Sequence, residues 1–139
     1  MRYVWLLLSA ALIVLIFYNS SLSGSESGGL SAMLAAYLEP FASMAGYAGD
    51  LEHTLRKLAH FCEFALLCFF ICKTFAGFYF YSSAADGYIL FICLFVATVD
   101  EYIQSLVPGR TSAVSDILLD FSGAFCMWVA YRIWQWCRS

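Results

Sequence analysis

Three stretches of this chain are too long and too apolar to serve as strands or surface helices of a water-soluble domain: VWLLLSAALIVLIFY from Val4, GYILFICLFVATV ahead of Asp100, and VSDILLDFSGAFCMWVAYRIWQW toward the C-terminus. With their apolar flanks, each approaches the roughly 20 residues that a helix needs to cross a hydrocarbon layer of about 30 Å. A fourth, LAHFCEFALLCFFICKTFAGFYFY from Leu58 to Tyr81, has the same character but is interrupted by His60, Glu63 and Lys73. The chain is 63% hydrophobic and only 12% charged, so too few polar side chains remain to cover four such helices in water. The expected fold is therefore all-α, a small four-helix transmembrane bundle forming one domain over residues 1–139.

The crossings are expected at about residues 3–19, 51–80, 87–105 and 112–136. Arg2 ahead of an apolar run, with SSLSGS after it, is also the pattern of a cleavable signal peptide; the length of the run favours a retained helix. Between the first two crossings, Leu30, Met33, Leu34, Tyr37 and Leu38 recur at helical spacing, which predicts an interfacial helix within about 30–48 that Pro40 ends. Asp50 is placed to cap the second crossing, and Ser82, Ser83, Asp86 and Gly87 read as a turn before the third. Val107, Pro108, Gly109 and Arg110 read as a tight turn, with Thr111 or Ser112 capping the fourth crossing. Cys62, Cys68, Cys72, Cys93, Cys126 and Cys137 lie in or beside apolar runs without CxxC spacing, which argues against a disulfide framework or zinc knuckle.

Parity then places the polar residues. A second crossing starts where the first ended, and the third returns to that side, where the fourth begins. Arg56, Lys57, His60 and Glu63 must therefore share a membrane side with Asp100, Glu101, Gln104, Arg110, Asp116 and Asp120. Arg2, Lys73, Arg132 and Arg138 fall on the opposite side, four cations against the three of Arg56, Lys57 and Arg110, which points to cytoplasmic termini.

Within the shared set, Arg56, His60 and Glu63 form one helical stripe, Asp100 and Gln104 a second, and Asp116, Asp120 and Gly123 a third. In an apolar medium such stripes must face one another or a wet pocket, because an unpaired charge there costs several kcal/mol. One reading is simple mutual pairing that locks the bundle. A second is ligand binding. Arg56, Lys57 and Arg110 supply two guanidinium forks and a point charge suited to phosphate or carboxylate, with Glu101 and Gln104 beside them, and the N-terminus of the fourth crossing adds free N–H groups. A phosphate-bearing lipid or lipid-linked precursor would arrive at this depth. A third reading is catalysis at such a phosphate, with His60 as base or nucleophile and Glu63, Asp100, Asp116 and Asp120 completing the site. No metal is assigned from the sequence, since an HxxE pair is common and sequence gives no ligand distances; the cofactor is unknown. No Gly-rich nucleotide loop, GxSxG elbow or basic nucleic-acid patch is present, and the formal charge of −3 argues against a nucleic-acid partner.

The two polar signatures, LRKLAHFCEFALL at 55–67 and VDEYIQSLVPGRTSAVSDILLDFSGAF at 99–125, resemble those of the VanZ-like family of bacterial membrane proteins. The match includes the order DE, Q, PGR, D and D before a small-residue helix. Phe64 stands where the family often has tyrosine. The family takes its name from a member associated with low-level resistance to the glycopeptide teicoplanin. The resemblance thus implies a multi-pass protein of the bacterial plasma membrane with a link to the cell envelope, and it marks the same ten polar positions, Arg56 through Asp120.

Overall fold

The structure, a computed structural model, describes residues 2–22, 29–44, 49–78, 83–110 and 112–138. Those residues form five helices: α1 (Arg2–Ser21), α2 (Gly29–Met44), α3 (Leu51–Gly77), α4 (Ser83–Ser105) and α5 (Val114–Trp136). The expected Thr111 cap, the Tyr79–Phe80 end of the second crossing, and the expected loop and interfacial positions at 23–28 and 45–48 lie outside the described residues.

Local chemistry accounts for most boundaries. Asp50 is extended at φ −72° and its carboxylate accepts the His53 N–H at 3.0 Å, so it caps α3 as expected, while Glu52 adds negative charge in the first turn. The turn after α4 is closed by the Arg110 N–H donating to the Val107 carbonyl at 3.2 Å. Gly109 there adopts φ +81°, a conformation a side chain resists, and Pro108 presets the residue before it.

Three boundaries differ from expectation. Pro40 lies inside α2, which runs on to Met44. Proline removes one i→i−4 hydrogen bond and crowds the preceding turn, yet the helix continues for one further turn, in which the Ser43 hydroxyl donates to the Pro40 carbonyl at 3.0 Å. Helix α4 begins at Ser83, so the expected turn residues Ser83, Asp86 and Gly87 belong to its first turns, where Asp86 meets the positive end of the helix dipole. Helix α5 is preceded by Ala113, not capped by the Ser112 side chain; the Ala113 N–H is taken instead by the Glu101 carboxylate from α4, at 3.2 Å. The free N–H donors expected there for an anion are to that extent already used.

The long helices alternate in direction. Arg2 of α1 lies against Gly77 at the end of α3, and Ser20 at the other end of α1 meets Gln104 near the end of α4. Asp86 at the start of α4 in turn meets Trp128 and Arg132 late in α5. Each helix buries one stripe: Leu12 and Ile16 on α1; Phe64, Leu67, Cys68, Ile71 and Cys72 on α3; Ile89, Cys93, Val96 and Ala97 on α4; Ala124 and Tyr131 on α5. The α3 series is spaced by threes and fours, so one face supplies the core. Where α3 crosses α5, Gly123 is pressed against the backbone of Phe61, and a Cβ there would run into the Phe61 carbonyl oxygen.

Helices α1, α3 and α5 are long and apolar enough to cross a membrane. Helix α4 has 23 residues but carries Asp86 near one end and Asp100 and Glu101 near the other. Polarity is distributed inside out. Leu7, Val14, Phe91, Phe95 and Leu118 face outward, whereas Asp100, Glu101, Gln104 and Asp120 are buried. Water would penalise that surface, and lipid would not.

Candidate functional site

The buried stripe of α4 does not stop at its apolar residues. Ile89, Cys93, Val96 and Ala97 continue at helical spacing into Asp100 and Gln104, so the face that forms the core at mid-helix becomes polar at its end. The same holds on α5, where Asp120 precedes the buried Gly123 and Ala124, and on α1, where Leu12 and Ile16 lead to the fully buried Ser20. The core register therefore delivers polar groups from three helices to one end of the molecule.

A cavity of about 110 Å³ opens there. Its wall is formed by His53, Arg56, Lys57 and His60 of α3, Glu101 and Gln104 of α4, Gly109 and Arg110 of the turn, and Asp116, Leu119 and Asp120 of α5. Eight of the ten sequence-selected site residues thus line it. Asp100 is fully buried behind the wall, and Glu63, one turn along α3 from His60, is half-buried and not among the lining residues.

Around the rim the cations are partly engaged. The Lys57 ammonium pairs with Asp116 at 2.8 Å, and the Arg56 guanidinium with Glu52 at 3.2 Å. The latter pair is partly exposed and contributes little to stability. Arg110 donates to the carbonyl of Asn19 at 3.3 Å, tying the turn to the end of α1. Burial, and then the neighbouring Arg56, pulls the Arg110 guanidinium below its ordinary value, with Asp100 and Glu101 acting the other way. Two guanidinium groups thus repel one another across a cavity in which the Arg56 Nε is buried without an acceptor.

Deeper in, Gln104 Nε2 donates to Asp100 Oδ2 at 2.8 Å and to the Ser20 hydroxyl at 3.3 Å. His60 Nδ1 stands 4.0 Å from Asp100 Oδ2 and 4.0 Å from Asp120 Oδ2, beyond hydrogen-bond range of both. One ligand-type atom from each of His60, Asp100 and Asp120 lies within 4.8 Å of the others. Parity had grouped these three residues, and the structure puts them side by side; it leaves Glu63 apart from His60's immediate partners. Ser20 was missed, because SSLSGS reads as an exit from the membrane and nothing local distinguishes its first serines. Glu52, which adds negative charge to the first turn of α3, is also the partner of Arg56.

The opposite end of the molecule carries a second polar set. The Trp128 indole donates to Asp86 Oδ1 at 2.9 Å, and Arg132 pairs with Asp86 Oδ2 at 3.5 Å. The Lys73 ammonium lies over the rings of Trp134, Trp5 and Phe69 at 5.3, 5.7 and 5.7 Å.

No curated protein and no solved structure matches the chain. The family model described as VanZ/LLP1 matches residues 5–135, which takes in all five helices and every residue of the cavity wall. With its apolar outer face and buried acids, the chain is a membrane protein, and it belongs to the VanZ-like family.

Proposed function

We propose that this protein resides in the bacterial plasma membrane, crosses it four times with α4 included, and lays α2 along the interface with both termini in the cytoplasm. The exposed Met33, Tyr37, Phe41 and Met44 of α2 suit that interfacial position. The polar cavity then opens to the outer face, where it binds the phosphate group of a lipid or lipid-linked envelope precursor. The observation that carries this reading is the convergence of Arg56, Lys57 and Arg110 on one small cavity, with two guanidinium groups close enough to repel. An anion between them relieves that repulsion and gains charge-assisted hydrogen bonds. At about 110 Å³ the cavity is well below the roughly 300–1,000 Å³ of pockets that enclose whole small molecules, so only a headgroup enters and the acyl chains stay against the apolar outer surface.

A second reading, hydrolysis or transfer at the same phosphate, is favoured by one feature: His60 lines the cavity beside two carboxylates. Mass spectrometry of lipids retained by the purified protein tests the binding reading. A phosphate-bearing species should co-purify with the unchanged chain, and Arg110→Ala should reduce it about tenfold, the loss of one charge-assisted contact. Identical lipid profiles for the two proteins would remove the binding reading. Release of phosphate from the retained lipid, abolished by His60→Gln, would instead establish the second.

A further inference from the structure

The cluster at the base of the cavity lacks the partners that a merely structural polar core would have. Asp120 is 2% exposed, yet among the described residues no hydrogen bond to its carboxylate is found, and its Oδ2 stands 4.0 Å from His60 Nδ1. Asp100 is fully buried; its Oδ2 accepts from Gln104, while its Oδ1 has no donor. His60 Nδ1, directed between the two carboxylates, is itself buried without a partner. Of the nearby cations, Lys57 pairs with Asp116, Arg56 with Glu52, and Arg110 donates to the Asn19 carbonyl. Two buried carboxylates facing one imidazole nitrogen in a low-dielectric surrounding call for a proton or a bound cation between them, and unmet acceptors of this kind cost about 1–3 kcal/mol each, more when charged.

We propose that His60, Asp100 and Asp120 hold a divalent transition-metal cation at the base of the cavity. One nitrogen and two carboxylate ligands suit Mn²⁺, Fe²⁺ or Zn²⁺ better than the all-oxygen preference of Ca²⁺ or Mg²⁺. Ligands about 2.1 Å from a common ion stand roughly 3.0–4.2 Å apart, depending on geometry, and the 4.0 Å separations here fall inside that range. The outer support that such sites use is also present: Gln104 holds the Asp100 carboxylate, and Ser20 holds Gln104. Three protein ligands leave coordination positions open toward the cavity, which His60 and Asp120 line and Asp100 backs. This inference stands on the buried cluster and does not depend on the anion reading, although an ion so placed would share the cavity with Arg56 and Arg110 and could polarise a phosphate bound there.

The test uses the full-length chain in detergent, stripped with a chelator, dialysed and titrated with Mn²⁺ alone, an ion that the six cysteines bind poorly. Calorimetry should give one ion per chain, and the electron-spin spectrum of the bound ion should carry coupling to an imidazole nitrogen. Asp120→Asn and His60→Gln should each weaken binding at least tenfold, whereas Asp86→Asn, at the other end of α4, should leave it unchanged. Absence of saturable uptake, equal affinity in all variants, or a bound ion without nitrogen coupling would each overturn the proposal. Should Asp120→Asn not fold, the stoichiometry and nitrogen coupling of the unchanged chain decide. Lipid capture is measured before and after chelation. Capture without any ion uptake refutes the metal site and spares the anion reading, and ion uptake without capture does the reverse.

Discussion

The two ends of this protein solve the same problem in opposite ways. Each must accommodate acidic and basic side chains among helices whose outer faces are apolar. Around Asp86, every group has a near partner: the carboxylate receives both the Trp128 indole and the Arg132 guanidinium, and Lys73 sits among three rings. Around Asp120 the groups are only partly paired: His60 Nδ1 and Asp100 Oδ1 are buried without a partner, and a cavity runs beside them. Satisfied polar groups fix helices in place, whereas buried unsatisfied ones carry a stability penalty that packing alone does not explain.

Measured stabilities should separate the ends. The largest effect is expected where the two long helices touch between them: Gly123→Val forces a branched side chain against the Phe61 backbone and should cost about 3 kcal/mol, or prevent folding, in thermal unfolding in detergent. At the satisfied end, Asp86→Ala strands an indole N–H and weakens the hold on Arg132; a loss of about 1–2 kcal/mol is expected, with lipid capture and Mn²⁺ uptake unaffected. Lys73→Met removes the cation over the rings while keeping the volume, for a loss of about 0.5–1 kcal/mol. At the cavity end, Asp120→Asn in chelator-treated protein should change stability least or raise it, because it deletes a buried charge that no donor supports. A destabilisation by Asp120→Asn as large as that by Asp86→Ala would erase the contrast and make both ends structural.

The long helices were legible because apolar runs of that length have few alternatives, and the site residues were legible because polar side chains stand out against such a background. Asp50 and the Pro108–Gly109 turn were legible for a different reason, since cap and turn chemistry is local. What could not be read depended on contacts between helices. The Ser83 start of α4 owes its fit to Trp128 and Arg132 on α5, and the α5 cap comes from Glu101, twelve residues earlier. Ser20 looks like its neighbours in SSLSGS and is distinguished only by Gln104, 84 residues away. Pro40 misled because a proline ordinarily stops or kinks a helix, yet α2 continues past it to Met44.

The bare backbone at Gly123 has a consequence for the chemistry beside it. Phe61 adjoins His60, and Gly123 is one helical turn from Asp120, so a close main-chain approach of α3 and α5 lies immediately next to the gap that separates imidazole from carboxylate. A side chain can rotate and a lipid can yield, but two main chains in van der Waals contact act as a ruler with almost no tolerance. Sliding α3 by a single turn, about 5.4 Å, would carry His60 out of reach of both acids, and sliding α5 would take Asp120 away from it. The spacing of the reactive groups is thus set by the one position in that crossing where the protein has no side chain at all.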